Sequence, residues 1–189
     1  SHVCPVGAIN MIDAVSGNVY VSNTRLNTTL VHASLGIAAE NSGKLVTKVK
    51  EATRVLGNNY RKSFMIVDGT PGIGCPVTAS VTGANYVVIV TEPTISGLHD
   101  LKRVYELVKN FSIKSGCIIN KTDLNDGMAE KIRMFCEDSN IPVLAEFPYD
   151  KSFTDSMVNG KTIAEEGSEA IKSLLMESWT RIKEEVSAS

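Results

Sequence analysis

From Phe64 onward the polarity of the chain repeats with the rhythm of alternating strands and helices. Four short apolar, largely β-branched runs, Phe64–Val67, Tyr86–Val90, Cys117–Ile119 and Val143–Phe147, read as strands covered on both faces. Between them Leu98, Leu101, Val104, Tyr105 and Val108 recur at helical spacing, and so do Met128, Ile132, Phe135 and Cys136. They predict helices near 98–110 and 126–138. Strands that alternate with helices across short loops predict a parallel sheet with right-handed crossovers. The expected fold class is α/β, a mostly parallel sheet with helices on both faces. A last helix, about Ser168 to Val186, gathers Ile171, Leu175, Trp179, Ile182 and Val186 on one stripe. Its balanced charges suit docking on the sheet better than lying on a membrane surface.

The first third of the chain has a different texture. Residues 8–22 read as two short strands, Ala8–Ile12 and Val19–Ser22, joined by a turn ending in Gly17-Asn18, and Thr28–Ser34 as a third strand. Leu45, Val46, Val49, Ala52 and Val55–Leu56 then define a helix from Ser42 to about Leu56, with Asn41 or Ser42 as its cap.

The 189 residues are 43% hydrophobic and 21% charged, values of a globular chain able to bury a core. A net charge of −2 offers no electrostatic footprint for nucleic acid or an anionic membrane. No long apolar span or signal peptide is seen, so no membrane insertion is expected and the expected compartment is the cytoplasm. Cys4, Cys75, Cys117 and Cys136 form no C-x-x-C pair or zinc spacing. Cys117 and Cys136 read as small core hydrophobes, and Cys75 as a buried small residue at a helix start.

A parallel sheet places the residues just past its strands along one rim, where ligands bind. Here those residues are Asp68, Thr91-Glu92-Pro93, Asn120-Lys121 and Pro148-Tyr149-Asp150, the most polar of the strand ends. Three glycines and two prolines follow Asp68 within eight positions. A strand-end carboxylate can orient the waters of a nucleotide's Mg²⁺, and Gly72 has no side chain to keep a phosphate from its N–H. The alternative is a tight strand-to-helix turn with Asp68 as a cap. In Asn120-Lys121-Thr122-Asp123 the amide can donate to and accept from a purine edge while the lysine stem lies along a base or loop. The alternative is a polar turn with an Asn capping the 126–138 helix. Asn120, Lys121, Asp123, Pro148 and Tyr149 are the expected nucleotide-binding residues.

A phosphate-binding loop is a separate matter. Ser42-Gly43-Lys44 fails G-x₄-G-K-S/T, because Gly36 leaves six residues before Gly43 and Leu45 stands where the hydroxyl belongs. Lys44 reads as a solvated helix-start lysine, with a nucleotide-facing role as the alternative.

At the start of the chain, Cys4-Pro5 with its three-residue spacer Ser1-His2-Val3 fits the end of the bacterial cluster motif C-x₂-C-x₂-C-x₃-C-P. One thiolate is a quarter of what a 4Fe–4S cluster needs, so the chain cannot hold one alone.

These motifs together resemble the MinD/Mrp-type P-loop ATPases that carry a ferredoxin insert. The matching stretches are Cys4-Pro5-Val6-Gly7-Ala8-Ile9, Glu40-Asn41-Ser42-Gly43-Lys44-Leu45-Val46, Asp68 through Pro76, Thr91-Glu92-Pro93-Thr94 with Gly97-Leu98-His99-Asp100, and Asn120-Lys121-Thr122-Asp123. The resemblance implies Asp68 as the Walker B carboxylate supporting Mg²⁺ through water, Gly72 as the switch glycine facing the γ-phosphate, and Asn120 as the reader of adenine. It implies ATP and Mg²⁺ as ligands, Cys4 as one ligand of a 4Fe–4S cluster in the full-length protein, a homodimer, and an iron–sulfur or metalloprotein client. Residues 1–33 would end the ferredoxin-like insert with a linking hairpin, and 34–189 would form the C-terminal part of the ATPase domain.

The departures count equally. The family's phosphate-loop strand, its glycine-lysine loop and the aspartate that positions the attacking water are missing from this sequence. A P-loop NTPase-like sheet lacking the phosphate-loop strand, an exposed strand edge, and no ATP hydrolysis at family rates are therefore expected. Two other functions stand beside this one: an iron–sulfur redox module on a nucleotide-binding scaffold, and a GTPase read from Asn120 to Asp123.

Overall fold

The computed structural model describes residues 17–36 and 43–187. The chain divides into two compact units, one running to Thr70 with Cys75–Ser80, the other made of Pro71–Gly74 and the residues from Val81 onward.

In the first unit β1 (Gly17–Asn23) and β2 (Thr29–Leu35) form an antiparallel hairpin, in register from Gly17 opposite Leu35 to Asn23 opposite Thr29. The turn between these two strands is therefore Thr24–Thr28. Gly17 and Asn18, expected to end the turn before β1, lie in the ladder instead, and the rest of that expected turn falls outside the described residues. Asn27 takes the left-handed conformation the turn needs, at φ 55°, and Thr24 and Thr28 close it with a 2.7 Å bond between their hydroxyls. The expected Ala8–Ile12 strand and the Asn41 or Ser42 cap fall outside the described residues. Helix α1 (Gly43–Asn59) packs on β2, with Lys44 in solvent.

Phe64–Val67 departs from expectation. It forms no ladder, and Phe64, Met65, Ile66 and Val67 are exposed, Ile66 by 79%. A strand's backbone groups are satisfied by a neighbouring strand, and among the described residues none pairs with this run. Helix α2 (Cys75–Val81) follows, and Cys75, its first residue, is exposed, not buried as expected.

The second unit is the α/β layer. Strands β3 (Tyr86–Thr91), β4 (Lys114–Asn120) and β5 (Val143–Phe147) run parallel in that spatial order. Helix α3 (Ile95–Asn110) crosses from β3 to β4 and α4 (Asp126–Asp138) from β4 to β5. Leu101, Ile132 and Cys136 of these helices close on Ile89, Cys117 and Ile119, the buried face of the sheet. Cys117 and Cys136 are core residues, as their positions in apolar runs imply. An irregularity opposite Cys117 and Ile118 adds one residue to β5. That bulge lets Val143 join the α4-side core and Glu146 still meet Arg133 of α4. Two short helices, α5 (Ser152–Val158) and α6 (Ile163–Glu166), lead to α7 (Glu169–Ser187). It docks against β5, with Ile171 and Ser178 buried and Arg181 bonded to the Val143 and Leu144 carbonyls. No helix among the described residues is long and apolar enough to cross a membrane.

Candidate functional site

The carboxyl ends of β3, β4 and β5 form one rim, and side chains tie its three parts together. At the end of β3, Thr91 is buried and donates to the Gly97 carbonyl at 2.9 Å. Thr94 caps α3 by accepting from the Gly97 N–H. There is no room for a Cβ at Gly97 against the Glu92 carbonyl, so a glycine is required where the loop folds back on the strand end. Asn120 is the last residue of β4, half-buried. The cap of α4 is Asn125, whose side chain accepts from the Met128 N–H at 3.0 Å, so the capping alternative for Asn120 does not apply.

Lys121 is left-handed, at φ 57°, a conformation that non-glycine residues adopt at a cost. Its Nζ lies 2.6 Å from Glu92 Oε1, which joins the β4 end to the β3 end. On the other side Asp123 Oδ1 accepts from the Tyr149 N–H at 2.6 Å, and the Thr122 hydroxyl donates to the Phe147 carbonyl at 3.3 Å. These bonds join the β4 end to the β5 end. Pro148 and Tyr149 stand exposed at the lip, and Asp150 accepts from the Ser152 N–H at 2.8 Å. The structure thus gathers Glu92, Asn120, Lys121, Asp123, Pro148 and Tyr149. Glu92 could be placed on the rim from sequence, but its hold on Lys121 could not, since that depends on the left-handed turn.

Gly72 lies in the second unit at φ +95°, a conformation an L side chain would strain, with nothing within 4 Å of where a Cβ would stand. Gly72 is exposed. Asp68 belongs to the first unit and is exposed. It lines a cavity of about 810 Å³ with apolar residues of β2, α1 and the 64–67 run. Lys50 of α1 is also at this cavity and is buried, a residue the sequence reading passed over. Cys4 lies outside the described residues.

The donors present fit some ligands and not others. Mg²⁺ is bound by few protein oxygens and keeps its waters, so a single exposed carboxylate such as Asp68 suits it. A 4Fe–4S cluster needs four thiolates, and the described residues hold no group of three His, Cys, Asp or Glu.

No protein-family model matches the chain. Among curated proteins it is 26% identical to two uncharacterized proteins of Methanocaldococcus jannaschii: MJ0578, over 57% of this chain and 37% of that protein, and MJ0579, over 72% and 45%. The chain spans less than half the length of either. Among solved structures, the MinD cell division protein of Aquifex aeolicus superposes with a TM-score of 0.65 over 86% of this chain and 68% of that one, at 16% identity. The fold is MinD-like. Pyrococcus furiosus cell division ATPase MinD gives 0.59 at 18% identity, covering 78% and 60%, and a chain of the Aquifex aeolicus MinC:MinD cell division protein complex gives 0.58 at 18%, covering 76% and 59%. The MinD-like fold carries the parallel sheet and its rim.

Proposed function

We propose that this chain contributes the purine-reading rim, the switch turn and the magnesium-supporting acid of a MinD-like ATP site. One observation carries the reading: Asn120 ends the middle strand of a MinD-like sheet, and two of the residues just beyond it are already held, Lys121 by Glu92 and Asp123 by Tyr149. A site whose polar groups are preset loses little freedom on binding. Asp123 Oδ1 is engaged by a backbone N–H, and on this reading the amide of Asn120 meets the base edge. An amide both donates and accepts, which suits a purine edge, and the choice of ATP over GTP rests on the likeness to a MinD described as an ATPase.

Asp68 orients the waters of the metal, and the Gly72 N–H meets the terminal phosphoryl group. When bound, magnesium neutralises charge that develops on the phosphate oxygens. The sequence carries no G-x₄-G-K-S/T loop, whose backbone and lysine supply much of the stabilisation in phosphoryl transfer. Hydrolysis by the 189-residue chain is therefore slow by itself. Homodimerisation belongs to the same proposal. The link to iron–sulfur or metallocofactor handling has Cys4-Pro5 as its support.

Titration with a fluorescent ATP analogue tests the reading. Asn120→Ala should weaken binding about tenfold, the order of one lost polar contact, with or without Mg²⁺. Asp68→Ala should abolish the Mg²⁺ dependence and leave the metal-free affinity intact. Tighter binding of GTP than of ATP, or rapid turnover that survives Asp68→Ala, would overturn the proposal.

A further inference from the structure

Lys50 is a misfit in the pattern of its own helix. It sits on α1 between Val46, Val49 and Thr53 on the side lining the first unit's cavity, and it is 8% exposed. Burying an ammonium is expensive unless it is bonded. Its Nζ donates to the Ala79 carbonyl at 2.9 Å and the Ser80 carbonyl at 2.6 Å. Those carbonyls end α2, where a helix has no partners of its own to offer. Burial first, and then the Arg54 cation one turn on, hold the ammonium below the usual lysine range, as a desolvated group should be.

At its other end α2 meets α1 again. A Cβ on Gly43 would stand 3.1 Å from the Cys75 carbonyl and 3.5 Å from the Ala79 Cβ, so the first turn of α1 lies directly on the first turn of α2. Seven residues make too short a helix to hold itself. One helix, α1, therefore holds α2 at its start through a glycine and at its end through a lysine.

We infer that Lys50 is a positioning residue for the turn between Asp68 and Cys75. The inference rests on the role proposed above for that turn. Thr70 and Cys75 both belong to the first unit, and four residues, Pro71–Gly74, bridge them. By chain continuity, the clasp on α2 sets where that bridge ends. Gly72 has a positive φ and nothing within 4 Å of where a Cβ would stand, so no side-chain packing at that position fixes the turn. A slack anchor at Cys75 widens the turn's excursions, and a turn that wanders cannot tell a terminal phosphate from its absence. Lys50 itself touches neither phosphate nor metal.

The test compares Lys50→Met, which keeps the stem and removes the donors, with Lys50→Arg, which keeps them. Two quantities are read: amide exchange across residues 69–75 without nucleotide, and the affinity ratio of Mg·ATP to Mg·ADP. Lys50→Met should raise exchange across the turn by about tenfold or more, a local opening, and bring the ratio close to one. Exchange at Asn120 should not change, and Lys50→Arg should restore both readouts. Unchanged exchange in a folded Lys50→Met chain, or failure of the arginine to rescue, overturns the inference. If Lys50→Met does not fold, Gly43→Ala decides, since it keeps Lys50 but presses on the Cys75 carbonyl. Raised exchange over 69–75 supports the clasp, and unaltered exchange overturns it. If the wild-type chain binds no nucleotide, the proposed function fails, and the exchange measurements still decide the clasp.

Discussion

Asp123 joins two strand ends: its Oδ1 accepts the Tyr149 N–H at 2.6 Å, across 26 residues of sequence. The carboxylate of an Asn-Lys-x-Asp motif, best known for reading guanine, is here engaged by the backbone that follows β5. Asp123→Ala should therefore free Pro148 and Tyr149 and cost about 1 kcal/mol of stability, as an exposed charge-assisted bond does. Its effect on nucleotides should be equal for ATP and GTP. Calorimetric titration with both checks this, and a selective loss of GTP would show that Asp123 reads the base.

The outer edge of β3 has no partner among the described residues, and Val90 on that strand is 61% exposed. An uncovered apolar edge is a template for pairing. The chain should self-associate at micromolar concentrations in light scattering, and Val90→Lys should reduce the association without changing the helical signal. A wild-type chain that stays monomeric with all β3 amides protected would refute this.

Arg133 and Glu146 form a two-pronged pair, at 2.9 and 2.8 Å, between α4 and β5. The hydrogen bonds from Arg133 hold the Glu146 carboxyl below its ordinary 4.5. A carboxyl that loses its proton more readily in the folded chain adds stability above pH 4.5, and that stability drains as pH falls below this value. Glu146→Gln should flatten the acid limb of the stability curve and cost about 1 kcal/mol at neutral pH, the pair being partly exposed. Urea melts between pH 3 and 7, roughly spanning the carboxyl range, measure it.

Tyr86 opens β3 with its hydroxyl buried and, among the described residues, without a hydrogen-bond partner. Burial, and then the Glu185 carboxylate, push its phenol up to about 12. The folded chain keeps this proton where the unfolded chain has released it. The resulting stability is complete below pH 10 and is lost as pH rises toward 12. Tyr86→Phe should remove that alkaline loss and be neutral or stabilising by up to about 1 kcal/mol at neutral pH. Ultraviolet titration should lose its latest tyrosine step in the variant.

Much of this architecture is visible in the order of residues. Apolar runs of three to five and helical stripes report local periodicity, and β3, α3, β4, α4, β5 and α7 appear where those periods lie. Asn120, Lys121 and Asp123 fall on the rim for the same reason, because a parallel strand that ends must end there. Phe64–Val67 has a strand's composition and no ladder, since composition cannot supply a neighbour. Gly17-Asn18 looks like the end of a turn, yet both residues pair with β2, because the ladder extends to the start of β1.

What the order of residues determined by itself is the sequence of elements and which polar groups stand at strand ends, because both follow from period and chain direction. The tertiary structure alone decided that Glu92 holds Lys121, that Asp123 serves the Tyr149 N–H, and that Lys50 is buried on α2. Each of those bonds joins residues 26 to 30 positions apart. Whether a charge stays in water or is desolvated against a carbonyl depends on the distant backbone that folding brings to it.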